Sequence, residues 1–364
     1  MDLKQTPLTP VHQKLGAQMG PFGGWLMPIQ YSGILTEHAW TRQQVSLFDI
    51  CHMGEFLIDG DPQKSGLNRI VSANLEIMSV GSCRYTSMLN ESGGIIDDLI
   101  VYRLKADQWM FVVNAARIDI DAAHIKRHLT KDAKFEDLSA RLGKLDLQGP
   151  LAYEVLRQLL GSRISALTYY TFDHFVMLGE NNIVSRTGYT GELGYELYLS
   201  NEKVTGLWNM LLKDNRVKPA GLGARDTLRL EMGYTLYGQD IDEKITPLEA
   251  GMEKFIDLKK DFIGRDALIA KHKSGTARKL VYFSTESRRA PRHNYKIYSG
   301  NKEAGVVTSG SFSPSLSYGI GMGYVAAGCD KLGTKISVKD AAGTFEIPAT
   351  IINKPFYRRS SLKK

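Results

Sequence analysis

Gly93-Gly94-Ile95-Ile96-Asp97-Asp98-Leu99-Ile100-Val101-Tyr102 is the stretch on which the reading of this chain turns. A run of β-branched and aromatic residues after a Gly-Gly turn predicts a strand, and successive strand side chains point to opposite faces. Asp98 then shares a face with Ile96, Ile100 and Tyr102, while Asp97 points the other way with Leu99 and Val101. At least one carboxylate is forced into apolar surroundings. An unpaired buried charge is costly, so such a group is paired, protonated or functional. Two readings stand together here. Asp98 is a working acid, or Asp97 caps the Gly-Gly turn and Asp98 meets a buried arginine.

Outward from this strand, Gly81 to Leu104 reads as a hairpin turning at Asn90-Glu91-Ser92-Gly93-Gly94, with Phe48 to Ile58 and Trp109 to Val113 as further strands. Apolar residues at Ile118, Ala122, Ile125 and Leu129 carry helical periodicity. Strands alternating with single helices predict an α+β layer. Before it, Gly and Pro punctuate the chain up to Tyr31 and predict a loop-rich start with one short helix at most. After it, a second α+β unit starts at Gly149-Pro150. Its predicted helix carries Leu151, Val155 and Leu159 and is capped by Gly161; strands near Phe175 to Val184 and Tyr195 to Leu199 follow, then helices over 204–212 and 223–232. From Lys279 onward, short alternating runs (280–283, 295–298, 305–308, 323–325, 335–338 and 350–352) are separated by turn residues, the pattern of a β-barrel or sandwich. Lys271 to Ala277 is the expected linker.

The 364 residues, 43% hydrophobic and 23% charged, predict a folded protein of two or three domains and exclude a disordered or collagen-like chain. Cys51, Cys83 and Cys329 are odd in number with no CxxC pair, which argues against a disulfide framework or zinc ribbon and fits a reducing compartment. Apolar runs such as 109–113 fall far short of the ~18 residues of a membrane span. Met1 to Pro7 shows neither an apolar signal core nor an Arg-rich transit pattern, so a cytoplasmic location is expected, with no membrane partner. The net charge of +7, from 46 Lys+Arg against 39 Asp+Glu, favours an acidic ligand or partner without singling out nucleic acid.

Two further clusters are candidates for chemistry. In Arg186-Thr187-Gly188-Tyr189-Thr190-Gly191-Glu192-Leu193-Gly194-Tyr195-Glu196-Leu197, glycines flank Tyr189 and permit close backbone approach. Strand phase puts Leu193, Tyr195 and Leu197 on one face and Glu192, Gly194 and Glu196 on the other, with room left by Gly194 in front of Glu196; a solvated face is the ordinary explanation. Gly221 to Arg229 has Asp226 where a dinucleotide loop needs its third glycine, which rules that loop out. Arg225, in the first turn of the following helix, could still grip a carboxylate, or lie on the surface. His124 and His128 are spaced like a metal pair, but Ile125-Lys126-Arg127 between them makes a solvated helix face the better reading. Asp240 to Ile245 lacks the ligand set of a calcium loop, and no P-loop or GxSxG elbow is present. Arg278, Lys279, Arg288, Arg289, Arg292 and Lys296 read as a solvated surface or as a dock for an acidic protein.

Taken in order, Thr6-Pro7-Leu8, Phe22-Gly23-Gly24-Trp25, Leu47-Phe48-Asp49-Ile50-Cys51-His52-Met53-Gly54-Glu55, Gly93 to Asp98, Leu147-Gln148-Gly149-Pro150, Arg186 to Glu192, Ala224-Arg225-Asp226, Tyr237 to Ile241, Thr308-Ser309-Gly310 and Gly321 to Val325 form a specific set. Over nearly its whole length the chain resembles the aminomethyltransferase (T-protein) family of the glycine cleavage system. The resemblance implies an α+β fold of two antiparallel-sheet lobes (1–272) plus a C-terminal β-barrel (278–364), a three-lobed cloverleaf around a central folate site. It implies transfer of a methylene from the aminomethyl-lipoyl arm of a carrier, the H-protein, to tetrahydrofolate as co-substrate, giving methylenetetrahydrofolate, ammonia and the dihydrolipoyl carrier, with no metal. Asp98 matches the family's key acid; Glu196 and Tyr189 match pterin contacts and Arg225 a folate contact. Met53, Tyr85 and Asn114 fall among the other expected pocket residues, and Tyr357 lies in a segment resembling one that closes over the site. Cys51 stands where the family usually has serine. The rivals are a folate-dependent demethylase of a small sulfonium or N-methyl substrate, a folate protein of iron–sulfur assembly, whose Lys-Gly-Cys-Tyr signature is not found, and a nucleic-acid module, for which the interleaving of basic and aromatic residues is missing.

Overall fold

In the computed structural model, which describes residues 2–340 and 342–362, the strand that holds Asp97 and Asp98 spans Ile95–Lys105. It is the second strand of a five-stranded antiparallel sheet ordered Cys83–Leu89, Ile95–Lys105, Gln108–Val113, Gly54–Asp59, Lys134–Asp137. Helix Ile118–His128 covers one face, where Ile118 and Ile125 pack with Phe56, Leu99, Val101 and Phe111. Asp97, Leu99 and Val101 point to this core as strand phase requires. Ile96 joins them rather than Asp98, next to the register shift between Met88 and Leu89.

A second sheet runs Phe172–Met177, Glu180–Ser185, Gly194–Ser200, Leu142–Gln148, Val45–Asp49, Val217–Pro219, antiparallel except for its last pair. Helices Ala152–Leu160 and Asn201–Leu211 bury Val155, Leu156, Leu207 and Trp208 against Leu145, Leu147, Tyr195 and Leu197. The opposite faces of the two sheets meet. Cys83, Tyr102 and Met110 of the first pack with Phe172 and Tyr198 of the second.

Three expectations are corrected here. The apolar run 48–58 is two strands in two sheets, because Asp49 Oδ1 accepts the Cys51 N–H at 2.8 Å and turns the chain out of the second sheet before Gly54 enters the first. The start of the chain has its one short helix, Thr9–Lys14, but is not loop-rich: Lys4–Gln5, Gln18–Phe22 and Trp25–Gln30 form a small sheet, and Gly23-Gly24, both at positive φ, are its hairpin turn. Helix Ile34–Gln43 follows, unforeseen because the side chains it buries are Glu37, His38 and Thr41, which carry no apolar periodicity. Phe175 to Val184 resolves into the hairpin Phe172–Met177 and Glu180–Ser185, turning at Leu178-Gly179.

The six C-terminal runs fall in strands, with Tyr295 alone just outside: Arg278–Thr285, Lys296–Ser299, Lys302–Phe312, Gly319–Ala326, Lys335–Lys339 and Glu346–Ile352 close into a barrel around Phe283, Val307, Val338 and Ile351. Helix Arg265–Ser274 runs through most of the expected linker and ends at Gly275, φ 82°. The barrel packs on the first two units through Met322, Tyr324 and Phe356 against Leu89, Ile95 and Leu230. Among the described residues no helix is long and apolar enough to cross a membrane.

Candidate active site

Asp98 is held by its strand neighbours. Tyr85, on the adjoining strand, donates its hydroxyl to Asp98 Oδ2 at 2.7 Å, and Asn114, just after strand Gln108–Val113, brings Nδ2 to within 2.9 Å of Oδ1. The same Asn114 Nδ2 lies 2.8 Å from Asp97 Oδ1, and the Asn114 backbone N–H donates to Asp97 Oδ2 at 2.9 Å. Neither structural alternative considered for these aspartates is realised. Asn90, not Asp97, caps the Gly-Gly turn by accepting the Gly94 N–H at 2.9 Å, and no arginine is bonded to Asp98 among the described residues. Withdrawal from water, then the charge of Asp97, push the Asp98 carboxyl up to about 7, while Tyr85 and Asn114 pull it down. Such a group can hold or release a proton at neutral pH.

Glu196 sits deeper, 4% exposed, on strand Gly194–Ser200. Its Oε2 lies 3.1 Å from Tyr198 Oη, 3.4 Å from Tyr102 Oη and 3.6 Å from Lys144 Nζ. The solvated-face reading therefore fails. So does the space ascribed to Gly194: a Cβ there would meet the Gln148 amide at 2.0 Å, so that room is already filled. Asp146 stands directly across from Glu196 and pairs with Arg225, whose guanidinium also lies 5.1 Å from the Tyr189 ring centroid. Burial and then Glu196 raise Asp146 to about 6 against the pull of Arg225. Glu55 beside them is 1% exposed, with neither carboxyl oxygen hydrogen-bonded, and burial lifts it to about 8. Burial holds His52 down at about 4, so it is neutral. Two cations, Lys144 and Arg225, thus face two anions, with Glu55 and His52 uncharged at neutral pH.

Tyr189 joins the two groups. Its ring stacks on Tyr234 with centroids 5.8 Å apart, and its hydroxyl donates to the Thr235 carbonyl. Gly191, at φ 79°, is required beside it, because a Cβ would meet Met232 Sδ at 2.4 Å. Met53 packs against both Phe48 and Tyr102, at the seam between the sheets. The fold therefore brings Asp98, Tyr85, Asn114, Tyr189, Arg225, Glu196 and Met53 into one region. Glu196 is fully buried; the others are half-buried and keep part of their surface open.

Tyr357 belongs to an adjoining group. Its ring lies under the Arg42 guanidinium, 4.2 Å away, and Arg42 bonds Glu192 Oε1 at 2.7 Å, Glu231 Oε2 at 2.8 Å and the Thr190 carbonyl at 2.8 Å. Ser360 and Ser361 bond Gly191 and Glu192, so the C-terminal segment straps the loop that presents Tyr189. Cys51 is buried, its Sγ 3.4 Å from the Lys144 carbonyl and 3.3 Å from the Lys144 N–H, close to what a serine hydroxyl would bond.

Lys144 and Asp146 escaped the sequence reading, and Gln148 was read only as part of a matching segment. They alternate with Leu145 and Leu147 along strand Leu142–Gln148, all buried. A period-two polar stripe in a strand with no exposed face was the available signal. Tyr102 and Asp121 carried no such mark.

Family models match in two consecutive pieces: the GCVT N-terminal domain over residues 8–260 and the glycine cleavage T-protein C-terminal barrel domain over residues 278–358. An aminomethyltransferase of Halothermothrix orenii is 43% identical over 358 residues, covering 97% of this chain and 100% of the relative. One of Bacteroides thetaiotaomicron is 42% identical over 362 residues, 97% and 99%. The crystal structure of glycine cleavage system aminomethyltransferase T from Bartonella henselae superposes with a TM-score of 0.93 at 32% identity, covering 99% of both chains. With two family models in tandem, relatives matched along their whole length and the same three-part architecture, the chain belongs to the aminomethyltransferase (T-protein) family of the glycine cleavage system.

Proposed function

We infer that this chain transfers the methylene of an aminomethyl-lipoyl carrier, the H-protein, to tetrahydrofolate, releasing ammonia and the dihydrolipoyl carrier. The observation that carries this reading is the Asp98 carboxyl, held by Tyr85 and Asn114 and pushed up to about 7 by burial and the charge of Asp97, in one region with Tyr189, Arg225 and the buried Glu196. The names of the relatives support the same activity.

The residues fit a folate. A pterin offers several N–H donors, and Glu196 is a buried carboxylate whose charge is balanced by Lys144. Tyr189 presents an aromatic ring, and Arg225 a cation next to it. Folate supplies the secondary amine that accepts the one-carbon unit. For the protein, the task is to hold two reactants in attack geometry and to manage protons, and Asp98 is the group able to hold a proton where both meet. Met53, Tyr85 and Asn114 shape its surroundings, and Tyr357 acts at one remove by buttressing Arg42 behind the Tyr189 loop. On this reading the folate-binding lobes are 1–272, the barrel is 278–364, and the protein works in the cytoplasm.

The test mixes the purified protein with tetrahydrofolate and an aminomethylated lipoyl carrier and follows ammonia. Asp98→Asn should stay folded and lose about 10² or more in turnover. Near-normal ammonia release by Asp98→Asn, with loss in Asp97→Asn, would move the acid to Asp97. Demethylation of a small sulfonium or N-methyl compound without any carrier would instead favour the demethylase reading.

A further inference from the structure

Behind Asp98 lies a second carboxyl contact that the proposed chemistry does not use. Asp97 and Asp121 are both 0% exposed. Asp121 comes from the first turn of helix Ile118–His128, and its carboxyl lies against that of Asp97. Among the described residues, no N–H or O–H group donates to either Asp121 oxygen. Two carboxylates offer acceptors only, so the contact becomes a hydrogen bond only when one of them carries a proton.

The arrangement on the other side of Asp97 is fixed. Both Asp97 oxygens are occupied by Asn114, through its backbone N–H and its Nδ2, and that same Nδ2 reaches Asp98 Oδ1. Arg117 has its guanidinium turned to Glu243 at 2.6 Å and contributes to Asp97 and Asp121 by charge. Tyr237 lies over Arg117, while Tyr85 and Tyr189 face Asp98 from the opposite side. Among the described residues Arg117 Nε and His124 Nε2 are likewise buried without a hydrogen-bond partner, and neither donates to Asp121.

We propose that Asp121 is a positioning residue for Asp98: it carries the proton of a carboxyl–carboxylate pair with Asp97, and the Asp97 carboxylate so anchored aims the Asn114 amide at Asp98. The proton stays within the pair; none passes to substrate. Burial first, then the charge of Asp97, push Asp121 up to about 11, so the pair keeps its proton throughout the range in which Asp98 titrates. Losing the donor from Asp121 leaves Asp97 free to turn and slackens Asn114. Asn114 favours the ionised form of Asp98, so the Asp98 carboxyl then titrates at higher pH.

This inference rests on Asp98 being the acid of the site, and it has a readout that needs no substrate. Infrared spectroscopy of the full chain with isotope-labelled aspartate, at about pH 9 where Asp98 is ionised, should show one protonated-carboxyl band that Asp121→Asn removes. Absence of that band overturns the proposal whatever the enzyme assay gives. In the ammonia assay, Asp121→Asn, which still donates to Asp97, should keep turnover and pH profile. Asp121→Leu should lose roughly tenfold in turnover, with its acid limb moved up by about one pH unit. An unmoved limb in a folded Asp121→Leu protein, or an Asn variant as impaired as the Leu variant, also overturns it. Should Asp121→Leu not fold, the infrared band decides alone.

Discussion

Tyr85 donates its phenolic hydrogen to Asp98 Oδ2 at 2.7 Å across two adjacent strands, while its ring packs edge-on against Phe255 at 4.7 Å. The hydroxyl favours the ionised carboxyl. Tyr85→Phe keeps the ring and removes the donor, so Asp98 should titrate above its present value of about 7 and the acid limb of the rate of ammonia release should move to higher pH. A pH–rate profile identical to wild type would show that this hydroxyl does not govern the acid.

Glu196 accepts from Tyr198 and faces Lys144, and in the proposed function its carboxylate receives the donors of a bound pterin. Glu196→Gln sets an amide donor against those donors and should weaken tetrahydrofolate binding by roughly 1–3 kcal/mol. Titration calorimetry measures it directly. An unchanged affinity would remove Glu196 from the folate site.

Glu55 has no hydrogen-bond donor and is raised from the ordinary carboxyl range to about 8. Its folded-state value exceeds its unfolded one, so its contribution to stability is complete at low pH and is lost as pH rises through about 8. Glu55→Gln does not titrate. Calorimetric melting should therefore show wild type losing ground to this variant as pH climbs from about 5 to 8, and parallel curves for the two proteins would show that Glu55 is already ionised in the fold.

Arg288 and Arg289 stand exposed on the barrel over the rings of Phe312 and Phe345, and Arg292 follows in the same exposed segment. An acidic carrier docked there would be steered by charges screened beyond about 8 Å at physiological ionic strength. Added salt, or charge reversal at Arg288 and Arg289, should slow the carrier-borne reaction and spare a free aminomethylated lipoate analogue. Equal salt sensitivity of the two substrates would place the dock elsewhere.

What was legible in the sequence follows from local physics. The six barrel runs alternate between core and solvent and end in turn residues, so each declares itself within a few positions. The same holds for Asp98, because a carboxylate inside Ile95 to Tyr102 needs an explanation before any partner is known. Family motifs then named the region and most of its residues. Helix Ile34–Gln43 was illegible because its buried face is Glu37, His38 and Thr41, satisfied by groups as distant as the Gly221 N–H, 2.8 Å from Glu37.

Sequence alone thus determined the class of fold, an all-β C-terminal region and the presence of a buried acid, since strand alternation and turn chemistry are short-range properties. Only the tertiary structure decided which neighbours each functional group has. By strand phase alone Glu196 read as a solvated face; Tyr102, from the other sheet, and Lys144, 52 positions away, close around it. Gln148 fills the space that Gly194 opens, and Asp121 meets Asp97 across 24 residues of chain. Hydrogen bonds and desolvation act over a few ångströms in space, whatever the separation along the chain, so the protonation of Asp98, Glu55 and Asp121 is set by the packing of sheets and helix.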